Sequence, residues 1–157
     1  MIKKILTVES ALKKAENYCS YQERSQQEVR DKIYSWGLHR ADVENIIVSL
    51  IGSGYLKEER FASVFAGGKF RIKKWGRNKI RMALQQKKVS DPLIEKALSS
   101  IDDREYEKIL SEVIYSRSKM TDEKNELKKK YKIASYAISR GFEAELVWRM
   151  IGEIDSR

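Results

Sequence analysis

The sequence predicts an all-α protein: three tandem three-helix repeats forming an elongated, curved helical array. Three observations lead there. Apolar residues recur three and four apart along the 157 residues, and no segment alternates apolar and polar as a half-buried strand would. Helix starts and stops punctuate the chain nine times. One set of apolar positions also recurs at fixed offsets of 51 and then 53 residues. A period near 50 with three helices per unit describes a helical array in which each unit buries a small core and its neighbours cover the rest.

The repeat aligns without gaps over the second and third helices of each unit. Val29 and Ile33 correspond to Ile80 and Leu84, then to Ile133 and Ala137. Leu38 matches Val89 and Phe142, and Val43 matches Ile94 and Val147. Ile46 and Ile47 match Ala97 and Leu98, then Met150 and Ile151. Leu50 matches Ile101 and Ile154. The units expected are residues 1–55, 56–101 and 102–157.

In order, Thr7 caps a first helix whose inner face is Val8, Ala11, Leu12, Ala15 and Cys19. Ser25 and Glu28 have capping-box spacing and open a second helix with Val29, Ile33 and Trp36 inside, ended by Gly37. A third runs from about Ala41, with Val43, Ile46, Ile47, Leu50 and Ile51 inward and Gly52 and Gly54 at its end. The fourth is expected from Lys57 to Trp75, with Phe61, Val64, Phe65, Gly68, Ile72 and Trp75 on one buried stripe. The fifth, Arg77 to about Gln86, turns Ile80, Ala83 and Leu84 inward. Asp91-Pro92 starts the sixth, since Pro at the first helical position loses no needed bond, and Leu93, Ile94, Ala97, Leu98 and Ile101 follow. Asp102 and Glu105 form a second capping box before Tyr106, Ile109, Leu110, Val113 and Ile114, a helix reaching about Ser118. Thr121-Asp122 starts the eighth, with Leu127, Tyr131, Ala134 and Ile138 inward and Gly141 at its end. The ninth, from about Glu143, carries Leu146, Val147, Met150, Ile151 and Ile154.

Composition narrows the class. Hydrophobic residues make up 41%, too many for a disordered chain, and charged residues make up 35%, which suits a thin fold with much surface. The start, MIKKILTVES, lacks the apolar core of a signal peptide, and no stretch approaches a membrane span, so a cytoplasmic protein is expected. The lone Cys19 excludes an internal disulfide and a cysteine-based metal site. No metal, cofactor or small-molecule substrate is expected, and no nucleophile–base set points to an enzyme.

The net charge of +9 is placed rather than spread. Residues 8–55 hold six basic and seven acidic residues, residues 56–101 twelve and four, and residues 102–157 twelve of each; Lys3 and Lys4 supply the rest. Nine bases fall between Lys69 and Lys88 with no acid among them: Lys69, Arg71, Lys73, Lys74, Arg77, Lys79, Arg81, Lys87 and Lys88. No i, i+4 ion pair relieves their repulsion locally. Phe70 and Trp75 lie in the same run, and an aromatic among bases can stack on a nucleobase; Trp75, on the stripe, is expected to pack. The run points to a polyanion or an acidic protein surface as partner.

Other candidates have plainer readings. His39 stands alone at a helix start. Gly67-Gly68-Lys69 lacks the spacing of a phosphate loop and suits a close approach of two helices. Glu58 and Glu59 before Arg60 lie in a first helical turn, where the helix dipole favours acids. Lys128, Lys129 and Lys130 alternate with acids as a solvated face does. Trp36 and Trp148 sit on apolar stripes as core residues.

Leu56, Glu58, Glu59, Arg60, Phe61, Ala62 and Phe65, followed by the basic run, Gly76, Ile80 and Leu84, resemble the central repeat of the RecX family. Two positions depart from its usual pattern: Arg77-Asn78 follows Gly76 where Gly-Pro is common, and Ala83 stands where Glu is common. The resemblance runs from about Ala11 to Ile151. It implies a regulator of the RecA recombinase: a monomer, without cofactor, lying in the groove of a RecA filament on single-stranded DNA. There it would inhibit ATP hydrolysis, strand exchange and co-protease activity. It further implies that reversing Lys73, Lys74, Arg77 and Arg81 to Glu abolishes inhibition. The reading in another class is a general nucleic-acid-binding helical module with no recombinase partner.

Overall fold

The computed structural model describes residues 6–155, and they form helices and connecting turns only. The bases Lys3 and Lys4 lie outside the described residues. The helices are α1 (Val8–Tyr21), α2 (Gln26–Ser35), α3 (Arg40–Gly52), α4 (Glu58–Arg71), α5 (Arg77–Gln86), α6 (Asp91–Ser99), α7 (Asp103–Met120), α8 (Glu126–Ser139) and α9 (Ala144–Asp155). Extensive helix–helix packing occurs only within the triplets α1–α3, α4–α6 and α7–α9. This is the expected array. Its accessible surface, 10284 Å², exceeds the roughly 8,200 Å² of a compact protein of this mass, as an extended row of small units requires.

Side-chain caps set several helix starts. The Thr7 hydroxyl accepts from the Ser10 N–H at 3.2 Å, Ser25 from Glu28 at 3.1 Å and Asp102 from Glu105 at 3.0 Å. Each cap satisfies a donor that the helix cannot, worth about 1 kcal/mol. Thr121 does not start α8: its hydroxyl donates back to Arg117 O, α7 continues to Met120, and Asn125 caps α8 instead.

The positions matched by the repeat form the core. All are buried in all three triplets except Ile154, which is exposed near the end of α9. Single-helix stripes fared worse. On α8, Leu127, Tyr131 and Ile138 face solvent while Ile133, Ala134 and Ala137 are buried. Val8, Ile51 and Trp148 are also exposed, Trp148 resting edge-on against Tyr131 at 5.0 Å. Trp36 is only partly covered by the first core.

The largest correction falls on α4. The helix ends at Arg71, because Lys74 adopts a left-handed conformation (φ 55°) and Trp75 N–H turns back to Lys69 O. Its buried face is Phe61, Ala62, Ala66, Gly67 and Phe70. Val64 and Ile72, assigned to the buried stripe, are 57% and 79% exposed.

The two joints between triplets differ. The first triplet has its own core, closed by Leu56 from the α3–α4 turn. The second and third share one continuous core from Phe61 to Ile151. At that second joint, Gly76 N–H donates to Arg140 O at 2.8 Å and Asn78 N–H to Gly141 O at 3.0 Å. A Cβ on Gly76 would lie 2.3 Å from backbone atoms of Gly141 and Phe142, so glycine alone permits the contact. Phe70 stacks on Tyr106 at 5.6 Å, and Tyr106 meets Phe142 at 5.3 Å.

Candidate functional site

The nine bases between Lys69 and Lys88 separate into two groups. Arg71 pairs with Glu105 at 3.2 Å, Lys74 with Glu112 at 3.6 Å, Arg81 with Glu95 at 2.7 Å and Lys87 with Glu28 at 2.9 Å. Arg77 is the most embedded: it pairs with Asp103 and Glu143, both at 2.9 Å, and its guanidinium lies 3.8 Å from the Tyr106 ring centroid. Tyr106 donates its hydroxyl to Glu143 and accepts from the Arg77 N–H. Burial first, and then the bond to Glu143, push the Tyr106 hydroxyl far above its ordinary pKa. The acid-free run therefore has acids in space, mostly supplied by other triplets. Reversing Arg77 and Arg81 to Glu would break these contacts and test the fold as much as a binding surface.

Lys69, Lys73, Lys79 and Lys88 remain, with no ion pair to another described residue. Two of them sit on aromatic rings. Lys69 Nζ is 5.4 Å from the Phe65 centroid and 4.9 Å from that of Trp75, and Lys79 Nζ is 4.6 Å from Trp75. Lys87 Nζ lies 5.7 Å from the Phe65 centroid. Cations and rings thus alternate across α4 and α5 in the order Lys87, Phe65, Lys69, Trp75, Lys79. Trp75 is half-buried, neither a core residue nor a free one. Phe70 is fully buried and unavailable to a ligand. Lys88 is exposed on the turn after α5, with a left-handed backbone (φ 60°).

The other singled-out residues serve the scaffold. Leu56, Phe61, Ala62, Ile80 and Leu84 are buried. Glu58 accepts from the Gln26 N–H at 2.9 Å, Glu59 pairs with Lys96 at 2.6 Å and Arg60 with Glu23 at 2.5 Å. His39 caps α3 without a side-chain bond, and Cys19 is buried with its thiol pKa raised by desolvation. Gly67 faces Arg71 of its own helix, and a Cβ on Gly68 would meet nothing within 4 Å, so the pair does not mark a close helix crossing. Among the described residues there is no cluster of metal-ligating side chains and no helix long and apolar enough to cross a membrane.

One cationic feature was missed. Lys74, Arg117, Arg140 and Tyr136 line a cleft of about 150 Å³ beside the second joint. Arg117 lies 4.2 Å from the Tyr136 ring, and Arg140 donates to Lys73 O. Summed charge hid it, because residues 102–157 balance to zero.

Two family models match the chain: "RecX, first three-helix domain" over residues 11–50 and "RecX, second three-helix domain" over residues 58–98, together just over half its length. The chain belongs to the RecX family. Proteins named "Regulatory protein RecX" resemble it along most of its length. The one from Lactobacillus johnsonii is 29% identical over 154 residues, covering 98% of this chain and 57% of its own. That from Prosthecochloris aestuarii is 28% identical over 145 residues, covering 92% and 93%. The chain spans 57–59% of the length of the first Lactobacillus relatives it matches. The crystal structure of RecX from Lactobacillus salivarius superposes with a TM-score of 0.87 over 96% of this chain and 97% of that one, at 23% identity. That similarity establishes a shared fold.

Proposed function

We propose that this RecX-family chain binds the RecA recombinase filament on single-stranded DNA and inhibits its ATPase, strand-exchange and co-protease activities in recombination and DNA repair. In this reading it is a non-catalytic regulator, acting as a cytoplasmic monomer without a cofactor. The units 1–55, 56–101 and 102–157 span neighbouring protomers, and the middle one makes the main contact. The observation that carries the reading is the row of lysines and aromatics on α4 and α5. A nucleotide presents a phosphate and a ring together. Trp75, with two ammonium groups within 5 Å of its ring, meets both needs at one place. Lys73 and Lys88, exposed and without ion pairs, extend the contact to further phosphates or to acidic recombinase side chains.

The test is RecA-catalysed ATP hydrolysis on single-stranded DNA, titrated with the wild-type chain and with the combined variant Lys69→Ala, Lys73→Ala, Lys79→Ala, Lys88→Ala. These four lysines hold no ion pair in the fold, so the variant keeps its helices, checked by circular dichroism. Wild type is expected to inhibit at well below one molecule per RecA protomer, and the variant to lose that inhibition. Losing four phosphate contacts also lowers the log–log salt slope by about 3 on single-stranded DNA. Binding to bare DNA without any effect on RecA would favour the general nucleic-acid module instead.

A further inference from the structure

We infer that the solvent-facing strip of α4 is a docking groove for an apolar side chain of a protein partner, flanked on that partner by carboxylates. Val64 and Gly68 lie four apart on one face of α4, and Ile72, four further on at its C-cap, continues that face. Together with Phe65, Lys69 and Lys73 they line a groove of about 230 Å³. Its walls include Val64 and Ile72, apolar side chains that the fold leaves exposed. Its floor is Gly68, where an added Cβ would meet nothing within 4 Å. Glycine weakens a helix interior, and nothing inside this chain crowds that position. The missing side chain leaves a notch, not relief from a clash.

The chemistry of the groove selects its occupant. A nucleobase gains from stacking on ring faces, but the one ring in the lining, Phe65, already packs on the core with Lys69 and Lys87 over it, and Trp75 does not line the groove. Branched aliphatic walls around a notch suit the knob of a partner helix or loop instead. The rim is cationic: Lys69 and Lys73 carry no ion pair to a described residue, so carboxylates beside the knob are complementary. A second copy of this chain would bring the same cationic rim against itself. Nucleic acid and protein would thus be held side by side, with Lys69 between them. The inference rests on the proposed function, because a filament of protein on DNA presents both surfaces at once.

Gly68→Leu fills the groove, and Gly68→Ala fills part of it. Both are tested for affinity to a RecA filament assembled on single-stranded DNA with a non-hydrolysable ATP analogue, and to the same DNA alone. Both variants are expected to melt at or above the wild-type temperature, since each replaces a helical glycine. Gly68→Leu should bind the filament at least tenfold more weakly, Gly68→Ala by an intermediate factor, and both should bind bare DNA with unchanged affinity and salt slope. Unchanged filament affinity for Gly68→Leu overturns the inference. An equal loss on bare DNA overturns it too, and makes the groove a nucleic-acid contact. Self-association of wild type that Gly68→Leu abolishes would place a second copy there. Wild type binding the filament no more tightly than bare DNA overturns the recombinase reading itself, and this partner with it.

Discussion

Lys88 stands where the other two repeats have glycine. The repeat offsets align it with Gly37 and Gly141, whose φ values are 89° and 103°, and Lys88 takes the same left-handed turn at φ 60°. For a side chain with a Cβ that conformation costs about 1 kcal/mol. The left-handed turn closes α5, Lys88 N–H donating to Gln85 O and Val89 N–H to Leu84 O, but the exposed lysine side chain makes no ion pair among the described residues. In the proposed function the lysine at this position contacts a phosphate of single-stranded DNA. Lys88→Gly should therefore raise stability by about 1 kcal/mol, a gain of about 2–4 °C in melting temperature, and lower the salt slope of single-stranded DNA binding by about 0.7. A more stable variant with an unchanged slope would remove Lys88 from the interface. Glu58 gives a second prediction at this scale. Its carboxylate accepts from the Gln26 N–H. Burial raises its pKa above the ordinary 4.5, outweighing the lowering by that bond and by Arg30. A carboxyl raised on folding holds its proton more tightly in the folded state. Its contribution to stability is present below pH 4.5 and is lost as pH rises through the raised value. Glu58→Gln removes that loss, so the melting temperature of the variant relative to wild type should climb as pH increases above 4.5. A constant difference across that range would show that folding leaves the Glu58 pKa unshifted.

At the scale of elements, the repeat was more legible than the helix. An alignment across three units averages out local accidents, which is why Val29, Ile80 and Ile133 were recognised as equivalent core positions and are all buried. A single amphipathic stripe has no such check. On α4 the apolar residues are too many for one buried face: Phe61, Ala62, Ala66 and Phe70 fill the core, and Val64 and Ile72 are left over. Helix ends depended on geometry that composition does not reveal. A lysine in a left-handed turn ended α4 where a glycine would have announced the stop. The candidate site was legible as a charge run, but not its division, because the acids that pair with Arg71, Lys74, Arg77 and Lys87 come from 26 to 66 residues away. Gly76 was legible as a helix break, yet its structural task is the backbone contact with Gly141. Gly76→Ala puts a Cβ 2.3 Å from backbone that has no flexible end to move. Overpacking of that kind costs about 3 kcal/mol or more, and the lost Asn78–Gly141 and Gly76–Arg140 bonds deepen it. Denaturant unfolding of the variant should show that loss. A cost below about 1 kcal/mol would mean the joint can shift freely.

The second and third triplets share one core, and the first triplet has its own. The shared core of the second and third triplets holds twenty-two buried residues, and the first triplet's own core holds eleven. Between them lie the contacts Glu58–Gln26, Arg60–Glu23 and Lys87–Glu28, the Arg60 guanidinium donating also to Gly54 O and Tyr55 O, with Leu56 as an apolar tie from the linking turn into the first core. Partly exposed ion pairs contribute about 0–1 kcal/mol each, too little to make the two cores melt as one. An array coupled mainly through nearest-neighbour interfaces unfolds in steps where one interface is weak. The tryptophans report the two blocks separately, since Trp36 packs on the first core and Trp75 on the second. A chain with Trp75→Phe and Trp148→Phe follows the first triplet by fluorescence, and one with Trp36→Phe follows the rest. The first triplet should unfold at lower urea, with the two midpoints separated in both proteins by far-UV circular dichroism as well. Its smaller core sets that order. Coincident midpoints would mean that Leu56 and these polar contacts couple the array end to end. The first triplet would then be fixed relative to the basic face of α4 and α5, instead of free to adjust its angle while that face, in the proposed function, holds a polyanion.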